Sequence, residues 1–101
     1  MLTFENVLAA FADYLKEDDR VEIVLTSRGY TVLGWESKLQ GWSDSDFCAT
    51  PEDMLEILLG DYETFAEFNM TAGKRDLTPA EQQQIQAECE KFRQLCDKLS
   101  K

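Results

Sequence analysis

Four glutamates with one-sided helical spacing are the residues of this chain most suited to chemistry with a partner. Glu52, Glu56, Glu63 and Glu67 follow Pro51 and, on a helix, fall within about 60° of one another. Neighbouring like charges repel by a few tenths of a kcal/mol per pair, roughly. We call these four glutamates the acidic row. It serves either as a solvated face or as a contact for a basic partner, and we place it opposite the apolar side of its helix.

Trp42 lies in a polar stretch of the sequence and is the second candidate contact. Exposed tryptophan is enriched in binding hot spots, although the ring could also fold back over the core as a lid. Asp53 and Asp61 lie on the same predicted helix as the acidic row and extend its charge. The candidate partner-binding residues are therefore Glu52, Asp53, Glu56, Glu63, Glu67 and Trp42, with Asp61 as a further candidate.

The three cysteines do not predict a metal or redox site. Cys89 and Cys96 are seven residues apart, about 10.5 Å along a helix, which is beyond the reach of a disulfide. Zinc sites need close pairs of cysteine or histidine ligands, and the chain has no histidine. The segment Asp44-Ser45-Asp46 is similar to the start of a calcium loop, but Cys48 occupies the third ligand position. We expect no metal and no cofactor, and we expect the cysteines to be small buried apolar groups.

Enzymatic chemistry finds little support in the residue types. Without histidine there is no imidazole base and no Ser–His or Cys–His pair. A carboxylate pair such as Asp44 and Asp46 would act on a sugar only within a cleft. We therefore expect a protein that is not an enzyme, and carboxylate-based activity remains the enzymatic hypothesis. A deep pocket lined by acids with shifted pKa values would favour that hypothesis.

Length and charge limit the partners. The chain has 101 residues, 44% of them hydrophobic, and a formal net charge of −10, which predicts one globular domain over residues 1–101. This charge disfavours direct binding to nucleic acid or to an anionic membrane. An odd cysteine count and the lack of a signal peptide or long apolar run predict a cytoplasmic protein.

The charge is also uneven along the chain. Residues 51–77 carry seven acids and two bases, whereas residues 78–101 carry four of each. We therefore expect a basic protein partner for the acidic surface. The alternative is an inhibitor that mimics nucleic acid and occupies the basic groove of a DNA- or RNA-binding protein, in which case binding would fall steeply with salt.

The elements that position these residues begin with a helix and a hairpin. Apolar residues at helical spacing after Thr3 predict a helix over residues 4–17. The stretch 21–35 alternates apolar and polar residues around a glycine-containing turn, which predicts a β-hairpin. We expect this hairpin to provide the apolar face on which the helices pack.

Two hairpin registers are possible. A two-residue turn of type I′ would place Arg28 at positive φ, whereas a three-residue loop requires this only of Gly29. The second register is favoured, and it pairs Ile23 with Leu33 and puts Trp35 on the same face as Ile23, in the core. The other register would move Leu33 and Trp35 to the opposite face.

The rest of the chain predicts one more strand and two long helices. A polar loop over residues 36–45 leads to a short strand at residues 46–49. Thr50-Pro51 begins a second helix that runs to about Ala72, and within it Gly60 indicates close packing, a bend or a break. Thr78-Pro79-Ala80-Glu81 matches a capping box, and the third helix continues to about Leu99. The fold class is α+β, in the order αβββαα, with a three-stranded antiparallel meander packed by helices.

The third helix leaves the oligomeric state open. Apolar residues recur along it at four-three-four-three spacing, as they do in a coiled coil. The stripe covers only about three heptads, so packing within one chain is favoured over a homodimer through residues 79–99. Both a monomer and this homodimer remain open.

The chain resembles two groups of known proteins. The order αβββα through residue 72 is similar to the double-stranded-RNA-binding domain. However, the basic start of that family's second helix is here Pro51, Glu52, Asp53 and Glu56, so the resemblance implies topology alone. The stretches 25–30 and 47–52 resemble small uncharacterised acidic proteins of Gram-positive gut bacteria, often near mobile elements. This second resemblance implies a cytoplasmic, mobile-element setting and assigns no site residue.

Overall fold

The elements follow the chain in the order that the sequence predicts. A computed structural model describes residues 1–101 and shows the α+β order αβββαα, with a three-stranded antiparallel meander in the order β1-β2-β3. The first predicted helix is divided at Phe11, whose φ of −99° and ψ of 7° interrupt it. The elements are α1 (Phe4–Ala10), α2 (Ala12–Glu17), β1 (Val21–Thr26), β2 (Gly29–Glu36), β3 (Gly41–Phe47), α3 (Pro51–Thr71) and α4 (Pro79–Leu99).

Both long helices begin at the predicted threonines. The Oγ1 atoms of Thr50 and Thr78 accept hydrogen bonds from the backbone N–H groups of Asp53 and Glu81, at 3.1 and 3.2 Å. The Glu81 carboxylate accepts the Thr78 N–H in return at 3.0 Å, which completes the capping box. The first helix starts in the same way at Thr3. These interactions are local in sequence, and the predicted helix starts are confirmed.

The favoured hairpin register is wrong by one residue. The turn contains only Ser27 and Arg28, so Thr26 lies opposite Gly29 and Ile23 lies opposite Val32 instead of Leu33. The two-residue turn does not require Arg28 to adopt a positive φ. Within the turn region only Gly29 has a positive φ, of 125°. The shift places Leu33 and Trp35 on the face opposite Ile23.

The third strand is longer than predicted and the loop before it is shorter. β3 already pairs with β2 at Gly41, so only residues 37–40 form the connection. A register shift beside Gly34 and Trp35 accommodates one extra residue in β3. The polar composition of β3 obscured it in the sequence, because most of its side chains are exposed.

The hydrophobic core lies mainly between helices, and the helices also pack against the hairpin through Val21, Ile23 and Val32. Eleven of its thirteen buried side chains belong to the segment Val7–Tyr14 or to α3 and α4, and only Val32 and Cys48 come from the sheet or the residue after it. Ile23 is half-buried against the core, whereas Leu25 is 67% exposed. The sheet is therefore a thin layer on one side of a helical core.

The apolar stripe of α4 is used within the chain. Ile85, Cys89 and Cys96 are buried in the core, and the Phe92 ring stacks on that of Phe11 with centroids 4.3 Å apart. A homodimer through residues 79–99 stays a prediction, and it would have to use other faces of this helix. None of the helices combines the length and the apolar character that a membrane crossing requires.

Candidate functional site

One face of the sheet is left uncovered by the helices. Val32 packs into the core, so its neighbours Thr31 and Leu33 point to the opposite side of β2. The cross-strand partners on that side follow from the register, since paired residues share a face. We call this side the outer sheet face. Its apolar members are Val24, Leu33, Trp35, Trp42 and Phe47.

Aromatic rings dominate this face. Trp35 and Trp42 lie opposite each other on β2 and β3, with ring centroids 5.1 Å apart and planes at 79°. Trp42 is 46% exposed and Phe47 is 54% exposed. The Phe47 ring lies close above Gly29, where an added Cβ would come within 3.4 Å of it. The prediction that Trp35 is in the core is wrong, because the register moves it to the outer side, while the structure places Trp42 at the surface.

The acidic row is predicted to lie opposite the apolar side of its helix, but Glu56 and Glu63 of the row contact α4. α3 packs against both α1 and α4, and Glu56, Glu63 and Glu67 lie along its contact with α4. The Glu56 carboxylate accepts two hydrogen bonds from the Arg93 guanidinium, at 2.6 and 3.1 Å, and this lowers the pKa of Glu56. The Glu63 carboxylate lies 3.7 Å from the Cys89 sulfur. Burial, followed by the charge of Glu63, raises the pKa of Cys89 to about 11.

The row is thus an exposed but interrupted surface. Glu52, Glu63 and Glu67 are exposed without an ion-pair partner, as is Asp53 at the start of the helix. The charge of Glu56 is offset by a cation from α4. The carboxylates of the row come from α3, whereas Trp42 belongs to β3.

Asp61 leaves this set and lines a cleft between the sheet and α3. The cleft has a volume of about 400 Å³ and also contains Asp18, Asp44 and Phe68. Burial, followed by the charges of Asp46, Asp18 and Asp44, raises the pKa of Asp61 to about 6. Sequence reasoning did not place these carboxylates together, because they come from three separate elements.

The walls of the cleft are held by local contacts. Asp18 is buried, accepting the Tyr14 hydroxyl at 2.6 Å and the Arg20 N–H at 3.0 Å. The Arg20 guanidinium lies 5.0 Å from the centre of the Phe68 ring and forms no ion pair. The cleft therefore joins an acidic side to an aromatic side.

This cleft bears on the carboxylate hypothesis. A carboxyl group with a pKa near 6 is suited to proton transfer at neutral pH, and Asp44 shares the space with it. No three carboxylates or thiols converge in an arrangement that could hold a metal ion. Cys48, Cys89 and Cys96 are free and buried, and burial raises the pKa of each thiol.

Comparison of the chain with protein-family models, with curated proteins and with solved structures finds no match. The outer sheet face and the cleft are therefore interpreted from their own geometry. Sequence reasoning named Trp42 as a candidate contact, which stays a prediction, but did not find the face around it, because the remaining members depend on the hairpin register.

Proposed function

We propose that this chain is a non-enzymatic protein-binding module whose outer sheet face contacts a protein partner. One observation carries the proposal. An uncovered sheet face holds both tryptophans of the chain, together with Phe47 and Leu33. Keeping contiguous aromatic surface in water is unfavourable, and such patches mark interaction sites. Tryptophan anchors contribute a large share of the energy at protein interfaces.

The charge of the molecule supports a basic partner. The net charge is −10, and residues 51–77 carry seven acids against two bases. Residues 19–47, which contain the sheet, carry five acids and three bases. The acidic row and its neighbours would steer a basic protein toward the molecule, while the outer sheet face would supply the apolar contact.

The test is a pull-down from the native host with three forms of the protein. Wild type should capture a partner that Trp42→Ala fails to capture, as quantified by mass spectrometry. Leu95→Ala is the matched control, because Leu95 is 40% exposed on α4, away from the sheet. Equal capture by wild type and Trp42→Ala would contradict the proposal.

The nucleic-acid-mimicking inhibitor is the second candidate, and the unpaired carboxylates of Glu52, Glu63 and Glu67 support it. The ion pair between Glu56 and Arg93 counts against it, because it interrupts the run of negative charge. Binding assays at about 50 and 300 mM salt discriminate the two candidates, since screening acts on exposed charges. A mimic should lose its partner steeply and should lose affinity when the three glutamates become glutamine. An apolar contact at the outer sheet face should change little.

A further inference from the structure

We propose that the outer sheet face receives a single amphipathic helix with a basic polar side, supplied by the partner protein. This inference rests on the proposed function and names the element that the face would bind. Three observations carry it: the dimensions of the face, its small area and the net charge of the molecule.

The dimensions match one helix. Neighbouring strands lie about 4.8 Å apart, so the axes of β1 and β3 are separated by about 10 Å, the diameter of one α-helix. The strands contain 6, 8 and 7 residues, which corresponds to a length of roughly 20–26 Å. A helix of about 15 residues spans that length.

The area argues against a second copy of this chain as the occupant. A face of these dimensions offers roughly 200–400 Å² per molecule, whereas stable protein interfaces bury about 800 Å² on each partner. Two copies would also bring together two molecules that each carry a net charge of −10. A partner helix can bury its own apolar stripe completely on the same area, because the stripe is itself narrow.

The net charge of the molecule, −10, suits a basic helix. Glu22 lies opposite Leu33 and is the one charged side chain among the strand residues that point outward. The cations of this layer lie outside the strands, at Arg28 and Lys38 in the turns and at Arg20. Apolar residues of the helix would pack against Trp42 and Phe47, while lysine or arginine on its flanks would meet Glu22 and the negative field of the molecule.

The experiment uses two designed peptides of 16 residues and the full chain. One peptide is an amphipathic helix of leucine and lysine, and the other keeps the leucine stripe and replaces lysine with glutamate. Neither contains tryptophan, so the fluorescence of Trp35 and Trp42 reports binding directly. We expect saturable micromolar binding of the lysine peptide with a blue shift of the emission, and at least tenfold weaker binding of the glutamate peptide.

Variants locate the binding site. Phe47→Ser and Trp42→Ala should each weaken binding of the lysine peptide at least tenfold, measured by calorimetry so that loss of a fluorophore does not matter. Leu95→Ala should bind as wild type does. Amide NMR shift changes should cover all three strands, including Val24 in β1, and circular dichroism verifies that each variant is folded.

Several results would overturn the inference. The inference fails if Phe47→Ser and Trp42→Ala bind the lysine peptide as tightly as wild type does, or if the two peptides bind equally well. It also fails if the NMR shift changes are confined to one edge strand, or if the protein forms a concentration-dependent dimer that Trp42→Ala abolishes. If the pull-down depends on Trp42 while the lysine peptide neither binds nor competes, the single-helix inference fails and the protein-binding function stands. If the pull-down is also independent of Trp42, both fail.

Discussion

Trp35 and Trp42 form an edge-to-face pair across β2 and β3, with centroids 5.1 Å apart and planes at 79°. The chain has no other tryptophan. The optical signals of tryptophan therefore report on the outer sheet face and, through Trp35, on the cleft that this residue also lines. Edge-to-face pairs of this kind contribute about 0.5–1.5 kcal/mol beyond the area they bury.

Trp42→Ala should remove the exciton-coupled circular dichroism signal of the two indoles while leaving the fold intact. Because Trp42 is 46% exposed and outside the core, the free energy of unfolding should fall by only about 1 kcal/mol. Urea unfolding measures the second quantity. The Leu95→Ala control should keep the coupled signal, and a coupled signal that persists in Trp42→Ala would contradict the observed pairing.

Asp61→Asn should stabilise the protein at pH 7 and have little effect near pH 4. The pKa of Asp61 is raised to about 6 in the folded state, whereas in the unfolded state this carboxyl has the ordinary pKa of aspartate. At pH values between these two pKa values the folded state binds more protons than the unfolded state. Stability from this group therefore decreases as pH rises through that window, and an uncharged amide avoids the loss. Because the carboxyl is partly exposed, we expect a gain of about 1 kcal/mol at pH 7, discounted for screening by solvent.

Thermal unfolding of wild type and Asp61→Asn at both pH values measures this difference, and the other carboxylates cancel in the comparison. Glu52→Gln provides a control, since this carboxylate is exposed on α3 and lies outside the cleft. A gain that is the same at pH 4 and pH 7 would show that burial and charge in the cleft are not its cause.

The acidic cleft also allows the carboxylate hypothesis to be tested directly. If the chain is a binding module, wild type should hydrolyse nitrophenyl glycosides no faster than Asp61→Asn across pH 4–8. Turnover that depends on Asp61 and falls above about pH 6 would instead indicate that the raised pKa serves proton transfer. Asp44→Asn would then show whether both carboxyl groups of the cleft take part.

Gly60→Ala should raise the free energy of unfolding by about 1 kcal/mol. Gly60 is exposed within the continuous helix α3, and an added Cβ would meet no atom within 4 Å. Alanine is favoured over glycine by roughly that amount in a helix interior. Chemical denaturation measures the change. Gly73→Ala is the opposing control. Gly73 has a φ of 71°, which alanine adopts only with strain, so this variant should be less stable than wild type.

Phe92→Ala should lower the free energy of unfolding by about 3 kcal/mol. The Phe92 ring stacks on the Phe11 ring with centroids 4.3 Å apart, and it forms an edge-to-face contact with the Tyr62 ring with centroids 4.9 Å apart. Phe92 therefore connects α4 to Phe11, between α1 and α2, and to α3. Large-to-small substitutions of aromatic core residues cost about 3–5 kcal/mol, and Phe92 is only partly buried. Leu99→Ala, at a site 40% exposed on the same helix, should cost far less. Similar losses in the two variants would show that the stack does not anchor α4.

The sequence by itself determined the parts of the fold that depend on neighbouring residues. Thr50 and Thr78 each accept a hydrogen bond from the backbone N–H group three residues further along the chain, so both helix starts could be predicted locally. The helical spacing of apolar residues predicted α3 and α4. The order αβββαα followed from these starts and from the glycine-containing turn. Trp42 was found because a tryptophan in a polar stretch is unusual whatever its contacts.

Only the tertiary structure decided which face each strand residue occupies and which charges meet. The sequence allows two turns at Gly29, and the observed register buries Val32 among the helices and places Trp35 on the outer side. The cleft around Asp61 joins carboxylates far apart in the chain, and Arg93 reaches Glu56 from another helix. Such contacts follow from where whole elements pack, because a local pattern carries no information about the distance between residues that are remote in sequence.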